Sequence, residues 1–95
     1  MGLKIDKSVP PLEREIEYLL YDLCVDWGFC IPSLDAERIA TQTSYTAEKF
    51  AIDVLVAEGM HPEYERKWLK RISGKFVERF GSDEVSADTF VDRVR

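Results

Sequence analysis

Four cations stand out by their spacing. Lys67, Arg71, Lys75 and Arg79 recur at steps of four. On a helix, that spacing stacks side chains one turn apart along a ridge. The expected chemistry is docking onto an acidic surface by charge complementarity. Asp22 and Asp26 are also one turn apart and would bring two carboxylates together, the raw material of acid–base work, but nothing in the sequence marks a cleft beside them. His61, the one histidine, precedes Pro62 and reads as a helix-start residue rather than a base. Cys24 and Cys30 lack the Cys-x-x-Cys spacing of a zinc or redox pair, and two cysteines are too few for a secreted disulfide framework. They are expected as two reduced, buried thiols. One histidine with scattered acids does not supply the three or four converging ligands of a metal site. No glycine-rich phosphate loop is present. The expectation is no cofactor, no metal and no catalysis.

The elements that must position these residues read as helices. Pro11 suits the first position of a helix, and Leu12, Ile16, Leu19, Leu20, Leu23 and Trp27 then form one apolar stripe at steps of three and four. Gly28 is placed to end it. The connection Phe29–Pro32 is aromatic and is expected to plug the end of a bundle, since exposing it invites aggregation. A short second helix would carry Leu34, Ile39 and Ala40, capped by Ser33 or Asp35. A third, capped by Ser44 or Thr46 and closed by Gly59, would bury Phe50, Ala51, Val54 and Leu55. A fourth starts at His61-Pro62-Glu63 and shows Tyr64, Trp68, Ile72, Phe76 and Phe80 at strict steps of four. Gly74 lies inside it, at a cost of ~1 kcal/mol relative to alanine, which suggests close approach to a neighbouring helix. Ser86 would cap a last helix bearing Phe90, Val91 and Val94. No run alternates with a period of two, so no sheet is expected.

The central pair of helices has a further reading. Ile39-Ala40, then Tyr45, then Val54-Leu55-Val56-Ala57-Glu58-Gly59-Met60 resembles the core of winged helix-turn-helix regulators over about a quarter of the chain. The resemblance implies a first helix at 34–40, a turn at 41–45 and a DNA-reading second helix at 46–58. The chemistry departs from it. A recognition helix presents donors to bases and cations to phosphates, whereas here Glu48, Asp53 and Glu58 accompany Lys49 alone, and no β-hairpin wing follows.

Composition bounds the rest. Ninety-five residues make one domain, and 45% hydrophobic with 33% charged residues is a globular mix. Net charge is −5, which disfavours nucleic acid as the partner of the whole chain, because phosphate contacts supply most of such affinity. Between His61 and Gly81, Arg66, Lys67, Lys70, Arg71, Lys75 and Arg79 oppose Glu63, Glu65 and Glu78, giving that segment +3 and leaving the remainder at −8. No apolar stretch reaches membrane-spanning length, and Met1–Ser8 lacks the apolar run of a signal peptide. The reading is therefore an all-α, irregular bundle of four to five helices over 10–95, preceded by a flexible arm at 1–9. It is expected in the cytoplasm as a small non-enzymatic interaction or regulatory module. Its partner would be a protein or a second copy of itself, with a helix-turn-helix DNA-binding regulator as the alternative.

Overall fold

A computed structural model describes residues 11–87. The expected arm at 1–9 and nearly all of the expected last helix lie outside them. Within them the chain is mostly helical: α1 Pro11–Trp27, α2 Ser33–Ala40, α3 Ala47–Ala57 and α4 Arg66–Phe80. A single 3₁₀ turn, Pro62–Tyr64, precedes α4. The expectation of no sheet is corrected by one small ladder: β1 Ser44–Tyr45 pairs antiparallel with β2 Val85–Ser86. Two residues per strand are too few to show alternation in a sequence.

Glycine sets three of the element ends. At Gly28, with φ +79°, the chain reverses: its N–H donates to the Cys24 carbonyl at 3.0 Å and the Phe29 N–H to the Leu23 carbonyl at 3.1 Å. These bonds satisfy carbonyls that the end of α1 would otherwise leave bare. Thr46 caps α3, its hydroxyl accepting from the Lys49 N–H at 3.2 Å. The expected side-chain cap of α2 is absent: Pro32 occupies the N-cap position, and neither Ser33 nor Asp35 fills that role.

One core joins all four helices. Leu12, Ile16, Leu19 and Leu23 from α1 meet Ile39 from α2, Phe50, Val54 and Leu55 from α3, and Ile72 and Phe76 from α4. Phe29 folds back and is buried, with Trp27 and Ile31 packed against the cluster, so the aromatic connection is a plug. Three apolar residues of these helical patterns lie outside the core, and of them Trp68 was expected inside it. Leu34 is 80% exposed and Tyr64 is 78% exposed; Tyr64 belongs to the 3₁₀ turn and not to α4. Trp68 is half-buried, at the edge of the core, with its ring 5.5 Å from Trp27 and 5.0 Å from Phe29. Gly74 is exposed, and a Cβ placed there would meet nothing within 4 Å. Contact with another helix among the described residues therefore does not explain it.

Tyr45 locks the turn between α2 and α3. It is buried, its hydroxyl donates to the Ile39 carbonyl, and it accepts from the Gln42 N–H at 3.1 Å. Burial pushes its pKa up from 10.0 to about 12. Between those values the unfolded chain releases the proton while the folded state holds it, so stability falls as pH rises through that window. Tyr45→Phe should lower stability by ~1–3 kcal/mol at neutral pH, since it strands a buried carbonyl and an N–H, and should flatten the alkaline slope in urea titrations at pH 9 to 12. Ile72→Ala should cost ~2–5 kcal/mol in the same measurement.

Candidate docking surfaces

The four cations spaced at steps of four divide into two pairs. A step of four residues overshoots one turn of 3.6 by about 40°, so the series winds around α4. By its C-terminal half it has turned from solvent toward α1. Lys75 there meets Asp26 at 3.0 Å and lies 5.2 Å from the Trp27 ring. Its pKa is raised, chiefly by the Asp26 hydrogen bond. Arg79 forks between Glu15 at 2.7 Å and Asp22 at 2.9 Å. Lys75 and Arg79 thus clamp α4 to α1. The expected Asp22/Asp26 pair is not a converging acid and base, because each carboxylate is held by a different cation.

Lys67 and Arg71 remain on the outer side, together with Arg66 and Lys70, all four exposed. None of the four forms an ion pair with a carboxylate among the described residues. Arg71 lies over the Trp68 ring at 5.1 Å. Gly74, one turn beyond Lys70, leaves a position without a side chain on this outer face.

A second surface was not foreseen. A groove of about 600 Å³ separates α1 from α2. Leu20, Ile31 and Ala36 give it apolar walls, and Glu13, Glu17 and Glu37 supply carboxylates. Glu17 has a raised pKa, first from desolvation and then from the charges of Glu13 and Glu37. Glu13, Glu17 and Tyr21 follow steps of four on α1, a signal present in the sequence, but their convergence with Glu37 depends on how α2 packs. No cation is among the residues lining the groove.

The cysteines close one end of it. Cys24 and Cys30 are joined as a disulfide, with Cα atoms 4.3 Å apart, which corrects the expectation of two free, buried thiols. Cys30 is exposed and Cys24 partly so. The reversal at Gly28 brings residue 30 back over residue 24, and this proximity was implicit in the same glycine that ends α1. His61 is exposed and packs edge-on against Tyr64 at 5.8 Å.

The central helix pair is present in the expected order, but α3 carries little free positive charge. Lys49 is bound to Asp53 at 3.0 Å and to the Gln42 side chain at 3.2 Å. Gln42 in turn donates to Asp53 at 2.9 Å.

The two halves of the basic series should behave differently under mutation. Arg79→Ala combined with Asp22→Ala in a double-mutant cycle should give a coupling of ~0.2–1 kcal/mol in urea unfolding. Lys67→Ala should leave stability unchanged within ~0.5 kcal/mol. Thiol titration of the denatured, unreduced protein should find no free thiol; two would contradict the Cys24–Cys30 bond.

Among the described residues, no helix is long and apolar enough to cross a membrane. Compared with known proteins, the chain matches no family model, no curated protein and no solved structure.

Proposed function

We propose that the chain is a non-enzymatic interaction module that docks an acidic protein surface through the outer face of α4. The observation that carries this reading is the division of the basic series. Lys75 and Arg79 satisfy carboxylates of α1, whereas Arg66, Lys67, Lys70 and Arg71 form no such pair among the described residues. Exposed charges of this kind add little to folding stability, but they steer and orient a partner. The chain's net charge of −5 makes this patch a local exception, so the field favours a complementary protein face over a long phosphate backbone.

A helix-turn-helix regulator remains the second reading, supported by the α2–α3 pair and the Tyr45-locked turn between them. Against it stands the engagement of Lys49, the one cation of α3, by Asp53 and Gln42. A cytoplasmic location was expected from the lack of a signal-like apolar run and of a membrane-spanning stretch; the Cys24–Cys30 bond fits an oxidising compartment better than a reducing one.

The test is affinity capture from the native host, with and without nuclease, comparing the wild type with Lys67→Glu/Arg71→Glu. Partners that survive nuclease and are lost in the variant support protein docking. Recovery that vanishes with nuclease supports the DNA reading, as would duplex affinity falling steeply with salt.

A further inference from the structure

Resting on the docking reading above, we infer that the partner of the α4 face is a second copy of this chain, received in its α1–α2 groove. The two surfaces are complementary in kind. One presents Lys67 and Arg71 on an exposed helix face; the other presents Glu13, Glu17 and Glu37 around apolar walls. Lysine and arginine fit such a site because their stems lie along apolar surface while the charged heads reach the carboxylates. The groove lacks an internal cation, and although Glu78 lies one turn beyond Gly74, no carboxylate among the described residues pairs with the four outer cations, so the charge on each surface is open to the other.

Two observations point to the same interface. Tyr21, which lines the groove, and Val25 one turn on are 58% and 62% exposed. Adjacent large apolar side chains left in water mark a surface that another protein covers. On the opposing side, Gly74 costs helix stability and has no neighbour among the described residues that requires it. A bare spot beside Lys70 and Arg71 lets another backbone approach closely. The crowding of like charges at Glu17 is offset when a cation enters.

The two copies repel as wholes, each carrying −5. At physiological ionic strength the screening length is about 8 Å, so the charges that face one another decide the outcome. Two reciprocal contacts, each an α4 face in the other copy's groove, close a symmetric dimer.

The experiment is a charge swap read by light scattering and sedimentation equilibrium over a concentration series, with circular dichroism to confirm folding. The wild type should dimerise with rising concentration. Lys67→Glu/Arg71→Glu and Glu17→Lys/Glu37→Lys should each weaken self-association by about tenfold or more. Mixing the two variants should restore a heterodimer, because one contact is then native and the other reversed but complementary. Asp83→Lys/Glu84→Lys, which changes net charge as much as the groove variant does, should leave the wild-type dimer intact and fail to rescue the α4 variant.

A wild type that stays monomeric at every concentration overturns the inference. So does a dimer that ignores the groove variant, or a mixture that fails to associate. A groove variant that shifts the melting temperature without changing the oligomeric state also overturns it. A monomer whose α4 variant still loses a nuclease-resistant partner overturns self-association but leaves the docking function standing. Loss of neither would remove both.

Discussion

Phe76 has to be buried, and the arrangement of the other elements follows from where it goes. Its ring lies 4.7 Å from Phe80 on its own helix, 5.3 Å from Phe50 on α3 and 6.5 Å from Tyr45 on β1. Aromatic side chains contribute large buried areas with defined geometry, and in a chain this short a few of them fix the orientation of whole helices. With Phe76 and Ile72 inward, the rotation of α4 is set. The overshoot of four-residue steps then determines which cations reach α1 and which face water. The ion pairs follow from this packing and do not direct it, since partly exposed pairs contribute only ~0–1 kcal/mol each.

The long-range periodicity of α1, α3 and α4 was legible because burial of one face imposes it over many residues. Ile16, Leu19, Leu23, Phe50, Val54, Ile72 and Phe76 were all read correctly as core. What was not legible rests on short segments or on pairings between them. The β1–β2 ladder is two residues long, and its register depends on the return of the chain after Gly81. Leu34 sits in the first turn of an eight-residue helix, where one apolar residue does not define a face. Tyr64 shares the four-residue spacing of the α4 stripe, but Pro62 starts a separate 3₁₀ turn and the chain passes through a non-helical Glu65 before α4 begins.

The candidate site was half legible for a related reason. Steps of four identified the cations, but treating that spacing as a straight ridge ignored its drift around the helix. Corrected for drift, the sequence already separates Lys67 and Arg71 from Lys75 and Arg79. The groove required knowledge of a helix pair, because Glu37 is contributed by α2 and Glu17 by α1. The disulfide required knowledge of a turn. In each case the missing information was the relative placement of two elements, and their types had been read correctly.

The distribution of acid along α1 explains why one of its flanks is quiet and the other is not. Glu15, Asp22 and Asp26 recur at steps of seven and four and meet Arg79 and Lys75 on one side of the core stripe. Glu13 and Glu17 fall on the other side, toward α2, where the facing helix brings another carboxylate and no cation. A helix with one acidic flank would have been enough to hold α4. The second flank forms no ion pair among the described residues, and its crowding raises the cost of ionising Glu17. Its charge is uncompensated within the described residues at the same time as the outer face of α4 carries uncompensated charge of the opposite sign. These two opposite, unpaired charges are the ground on which contact between two copies is proposed.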